Sequence, residues 1–160
     1  MPTIKRILCP VDFSDTAAVG AREAAMLARA ADAELMLVHA LSEPWLATNR
    51  DRGYAAPIAQ QYEMIARHKL ESMADALTAI ARVRPVLVHG AVDDAIAQTA
   101  SKFSADLIVM GTRSKKGLAR LLTDSTTERV MRRAKVPVVR VSPNTTRRPP
   151  MDFAARHGMA

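Results

Sequence analysis

The stretch DLIVMGTRSKKGLARLLTDST, residues 106–126, joins an apolar run to a glycine, two adjacent lysines and a series of hydroxyls. Asp106–Met110 (DLIVM) has the length and β-branched content of a strand, and Gly111 ends it. A buried strand that opens onto a glycine-led basic loop is how a parallel α/β sheet meets an anion at a strand's carboxyl end. Four similar apolar runs flank this one: Ile4–Val11, Glu34–Ala40 (ELMLVHA), Pro85–His89 (PVLVH) and Val136–Val141 (VPVVRV). They are apolar nearly throughout rather than alternating, as strands covered on both faces are.

Helical patterns fill the gaps. An Ala-rich segment free of breakers runs to Ala31 and predicts a helix with Ser14 or Asp15 as N-cap. Ile58, Tyr62, Ile65, Met73, Leu77 and Ile80 recur at helical spacing, with Lys69 the one polar member, and predict a second helix buried along that stripe. Asp93 or Asp94 is expected to cap a third, which carries Ile96, Ala100 and Phe103, and a fourth ends near Ala134. Strands alternating with helices give an α/β fold: a five-stranded parallel sheet with helices on both faces. Ligands of such sheets sit beyond the carboxyl ends of the strands. Residues 41–57 hold Pro44, Asn49, Gly53 and Pro57 and predict a long loop, whose Trp45 and Tyr54 form either a lid or surface packing.

Composition sets outer limits. At 160 residues the chain suits one domain, placed at 1–142, followed by a tail at 143–160 expected to be mobile. Apolar residues make up 49% and aromatics only 4%, so the core is aliphatic and disorder is excluded. No run approaches the ~18 apolar residues of a membrane span, and Ile7–Val11 is too short for the core of a signal peptide. A single cysteine, Cys9, rules out an intramolecular disulfide, and the expected location is cytoplasmic.

The net charge is +7, and residues 111–135 hold eight cations against Asp124 and Glu128, or +6 of it. Such a patch is either an anion site or a solvated helix face. No recognition motif or interleaved aromatics accompany it, so a nucleic-acid partner is not expected. Four histidines and one cysteine show no metal-ligand spacing. His39, Asp12 and a loop serine invite a hydrolase reading, but no G-x-S-x-G elbow is present, and no residue is assigned as catalytic.

CPVDFSD, LVHAL and DLIVMGTRSKKGLARLLTDSTTERVMRRAKVPVVRV, taken in order over about residues 3–142, resemble the universal stress protein family. The resemblance implies a doubly wound sheet of order 3-2-1-4-5, like the adenine-nucleotide alpha hydrolases. It also implies a homodimer through the fifth strand, here Val136, Val138, Val139 and Val141; an apolar edge left unpaired favours such pairing. Nucleotide-binding members carry G-x2-G-x9-G-[ST]. Position by position, Asp12 matches a ribose-contacting aspartate, while Pro10, Val11 and Ala40 fall in the adenine pocket. Gly111 matches the first loop glycine, Ser114 replaces the second, Asp124 replaces the third, and Ser125 matches the final hydroxyl. Arg113 lies within the same loop.

Serine at 114 is a mild change, since its hydroxyl can donate to a phosphate oxygen. Asp124 is severe: a carboxylate about 5 Å from a phosphate charge is repelled by roughly 3 kcal/mol at an effective dielectric of ~20, or about two orders of magnitude in affinity. Arg113, Lys115, Lys116 or a bridging Mg²⁺ would offset part of this. Ser125–Glu128 is also an S-x-x-E capping box, which accounts for Ser125 without a ligand. The expectation is therefore a dimeric, non-enzymatic stress-response binding module that requires no cofactor and binds ATP weakly or not at all. The alternative is an ATP switch with slow hydrolysis.

Overall fold

The computed structural model describes residues 3–42, 55–112 and 126–142. Its elements are β1 (Arg6–Pro10), α1 (Asp15–Ala31), β2 (Glu34–Leu41), α2 (Ala55–Asp75), β3 (Arg82–His89), α3 (Val92–Phe103), β4 (Leu107–Gly111), α4 (Thr126–Arg133) and β5 (Val138–Val141). The five strands form one parallel sheet in the order β3-β2-β1-β4-β5, as expected. The central strands read as continuous apolar runs because helices cover both faces. Ile7, Cys9, Leu35, Leu37 and Val109 pack under α1 and α2. Leu8, Met36, Val38, Ile108 and Met110 pack under α3 and α4. Burying each large aliphatic side chain contributes about 1.5–3 kcal/mol.

Ser14 is the N-cap of α1: its Oγ accepts the Ala17 N–H at 3.2 Å, and Asp15 follows in the first turn. The N-cap of α3 is Ala91, with no side-chain cap bond, so the expected cap at Asp93 or Asp94 is corrected. Both aspartates instead lie in the first turn, where the helix dipole also favours them.

Two prolines shift boundaries. Pro57 stands in the first turn of α2, where a missing N–H costs nothing, so the helix begins earlier than the proline suggested. Pro85 lies inside β3, not at its start. On this edge strand the Gly90 N–H donates to the Leu41 carbonyl, and alternation then turns the nitrogen of Pro85 away from the sheet.

The buried face of α2 also differs from expectation. Of the expected stripe, Leu77 is buried and Met73 and Ile80 pack against the core, whereas Ile58, Tyr62 and Ile65 are exposed and Lys69 is on the surface; Ala66, Leu70 and Ala74 face the sheet in their place. Alanine lets the helix approach the strands closely, so the small residues point inward and the larger ones rotate out. β5 starts at Val138, two residues later than expected; the first bond of its ladder is that of the Ile108 N–H to the Pro137 carbonyl at 2.9 Å. The proposed lid residues Trp45 and Tyr54 and the tail at 143–160 lie outside the described residues. Among the described residues, no helix is long and apolar enough to cross a membrane.

Candidate functional site

At the carboxyl ends of β1, β2 and β4 the described residues enclose a cavity of about 240 Å³. Pro10, Val11 and Asp12 supply one wall from β1 and the turn after it, and Val38, His39 and Ala40 supply another from β2. Met110 and Gly111 come from β4. Helix starts close the rest: Ala17 of α1, Val92 and Ile96 of α3, and Thr126 and Thr127 of α4. The sequence-derived positions Pro10, Val11, Asp12, Ala40 and Gly111 are thus brought together. Arg113, Ser114, Asp124 and Ser125, the last being the expected cap of the S-x-x-E box, lie outside the described residues.

Asp12 organises the turn after β1. Its Oδ1 accepts the Ser14 N–H at 3.0 Å and the Ser14 hydroxyl proton. The single Ser14 proton is thereby committed, so at the 3.0 Å contact with Thr16 it is Thr16 that donates. Between Asp12 and Ser14 the backbone of Phe13 takes φ 62°, a left-handed conformation costly for a bulky residue. The Asx-type bond spanning Phe13 and the packing of its ring hold that geometry. Carboxylate and hydroxyls thus crowd the start of α1, as contacts to a polar ligand group require.

His39 faces the other side of the sheet. Its Nδ1 donates to the Val11 carbonyl at 2.7 Å, which fixes the proton on Nδ1, and its ring stacks on Phe13 with centroids 4.3 Å apart. Neither this bond nor the Ser14–Asp12 bond is one that a Ser–His–Asp relay uses.

Gly111 has a packing role independent of any ligand. A Cβ built there would lie 1.9 Å from the Thr16 carbonyl oxygen, and one built on Gly20 would lie 2.5 Å from the Gly111 nitrogen. Two glycines therefore let α1 rest against the end of β4. Just beyond, the Thr112 N–H donates to the Val141 carbonyl at 2.7 Å, so β5 anchors the exit of the strand.

The basic patch is partly neutralised. Arg133 Nε lies 2.8 Å from Asp93 Oδ2, Arg133 also pairs with Asp94, and Arg129 Nε is 3.8 Å from Asp93 Oδ2. Asp93 is buried, so this cluster clamps α4 to α3 and places Thr126 and Thr127 in the cavity wall. The sequence count over 111–135 missed it because both aspartates come from the preceding helix.

Two groups elsewhere have shifted proton affinity. Burial pushes the Cys9 thiol up to about 12, so it is an inert core residue. Asp106 is held below the usual carboxylate range by the backbone N–H of Lys5 and then that of Arg6. A larger groove of about 770 Å³ lies at the amino ends of the strands, lined in part by Arg29, Asp32 and Arg82. It is an open surface depression on the wrong edge of the sheet for a ligand. Among the described residues no cluster of His, Cys, Asp or Glu is arranged to hold a metal ion.

Sequence reasoning did not single out Gly20, Val92, Thr126 or Thr127. A lone glycine in an Ala-rich helix was the available signal for a close backbone approach at Gly20.

The model of the universal stress protein family matches residues 3–142. The Thermus aquaticus protein named universal stress protein in QAH/OAS sulfhydrylase 3′ region is 34% identical over 144 residues, covering 86% of this chain and 98% of its own. The solved structure of MJ0577 from Methanocaldococcus jannaschii is 25% identical with a TM-score of 0.71, covering 88% of this chain and 97% of its own. A universal stress protein solved in complex with cAMP shares the fold, at 23% identity and a TM-score of 0.64 over 88% of this chain and 98% of its own.

Proposed function

From the premise that the chain belongs to the universal stress protein family, we propose that it is a cytoplasmic stress-response binding module without turnover, which accepts the nucleoside end of an adenine nucleotide and holds ATP weakly. The observation that carries this reading is the cavity that gathers Pro10, Val11, Asp12, Ala40 and Gly111 at the strand ends. Its walls from Val38, Val92, Ile96 and Met110 are apolar, as a base requires, and Asp12 stands at the rim for a ribose hydroxyl. A relative with the same fold has been solved with cAMP, which carries one phosphate. Asp124 in the expected phosphate loop opposes a longer phosphate chain by charge repulsion.

The rival reading, an ATP switch with slow hydrolysis, draws on Arg113, Lys115 and Lys116, which place three cations in the same loop. The double variant Ser114→Gly with Asp124→Gly separates them. We expect ATP affinity to rise about a hundredfold as the repulsion is removed, read by titration calorimetry. An unchanged affinity contradicts the electrostatic account of the loop.

The working unit in this reading is a homodimer through β5. That strand is a sheet edge, and Val139 on it is 39% exposed, while Val136 and Val138 are half-buried and Val141 is buried.

A further inference from the structure

Phe13 holds a backbone conformation that its own side chain disfavours. At φ 62° the Cβ crowds the following carbonyl, and a bulky residue stays there only when outside contacts hold it. The other left-handed non-glycine residues among those described, Asp32 and Ser104, are polar C-caps of helices, where that conformation is ordinary. Phe13 ends no helix. It stands between β1 and α1, inside the turn that Asp12 and Ser14 close.

The contacts that hold it come from behind the sheet. Its ring packs on the core cluster beneath α1 and α2 and meets the His39 imidazole, with centroids 4.3 Å apart. The Lys69 ammonium lies 5.8 Å from the ring centroid, within cation–π reach. This contact gives a place to Lys69, the polar exception on the helical stripe of α2. The torsion at residue 13 in turn sets where the Asp12 carboxylate goes. The Ser14 N–H and hydroxyl both donate to Oδ1, which leaves Oδ2 as an acceptor on a residue that lines the cavity. A return of residue 13 to right-handed backbone would draw the Ser14 N–H away from Oδ1 and release the carboxylate.

We propose that Phe13 and Lys69 are positioning residues: Lys69 steadies the Phe13 ring, the ring holds its backbone left-handed, and that backbone presents the Asp12 carboxylate already oriented to a ligand hydroxyl. Affinity then gains because the turn is not ordered at the moment of binding. This rests on the nucleoside reading above and adds control from α2, which among the described residues contributes nothing to the cavity wall.

The test combines titration calorimetry, with AMP as the probe, and amide exchange of the isotope-labelled full chain. Phe13→Ala keeps the backbone strain and loses the ring. Its AMP affinity falls about tenfold, and its Ser14 amide exchanges about tenfold faster relative to that of buried Leu37. Phe13→Gly loses ring and strain together, so its affinity falls less, by about threefold. Lys69→Met also costs about threefold, the worth of one exposed cation–π contact, and Lys69→Arg restores it. In the Phe13→Gly background Lys69→Met costs nothing further. The Lys69 side-chain methylenes show an upfield ring-current shift in the native chain that Phe13→Gly abolishes. A Phe13→Ala chain that binds AMP as well as Phe13→Gly overturns the role of Phe13. A Lys69→Met penalty that persists without the ring overturns that of Lys69, and this arm stands even if Phe13→Ala fails to fold. A native chain that ignores AMP defeats the nucleoside reading instead, while Ser14 exchange in the ligand-free chains still decides whether Phe13 holds the turn.

Discussion

Asp106 Oδ2 accepts the backbone N–H groups of Lys5 and Arg6 at 2.8 and 2.9 Å, tying the start of β1 to the start of β4. These two donors favour the charged carboxylate and hold its proton affinity below the usual carboxylate range. A group whose folded-state pKa is depressed stabilises the fold above its unfolded pKa and loses that contribution as pH falls through the folded one. Asp106→Asn is therefore expected to cost about 1 kcal/mol near neutral pH. It should also flatten the acid limb of stability below the ordinary carboxylate pKa, measured by urea denaturation across pH. At this scale the sequence was informative where an apolar run ended: Asp12, Ala40 and Gly111 could be placed because strand ends mark the ligand edge of the sheet, and Pro10 and Val11 followed from the family resemblance. The bond from His39 to Val11 could not. Alternation along β2 says which face the ring occupies, not which carbonyl it reaches.

Between elements, the decisive contact is the Asp93–Arg133 pair that joins α3 to α4. The Asp93 side chain is only 12% exposed, whereas Arg133 is half exposed and keeps Asp94 as a partner, so removing Asp93 costs its contacts to α4 without stranding a buried cation. Asp93→Ala is expected to cost about 1–2 kcal/mol in chemical denaturation, the worth of charge-assisted bonds at a half-exposed pair. By contrast, removing Glu63 from its exposed i,i+4 pair with Arg67 should cost under about 0.5 kcal/mol. Existence and order of the elements followed from apolar runs and helical spacing. The inward face of α2 did not, since hydrophobicity favoured Ile58, Tyr62 and Ile65 over Ala66 and Ala74. Close approach to the sheet rewards small side chains, a tertiary demand that periodicity alone does not contain. The basic patch failed as a sequence argument for a related reason. Its counter-charges sit on a neighbouring helix and become visible only once the two helices pack.

For the whole molecule, β–α alternation indicated a parallel sheet covered on both faces, while its strand order followed only from the family resemblance. Assembly and ligand state are claims of another kind. Val139 is exposed on the β5 edge, so Val139→Lys should leave the monomer core intact and convert a dimer to monomers in sedimentation. A dimer that survives moves the interface away from β5. The central claim is a cleft that keeps its nucleoside end while its phosphate end disfavours a triphosphate. Titration calorimetry of the native full-length chain with ATP and Mg²⁺ tests it most directly. The account predicts binding weaker than about 100 μM or none, whereas a dissociation constant of about 1 μM, some 8 kcal/mol of binding free energy, contradicts it.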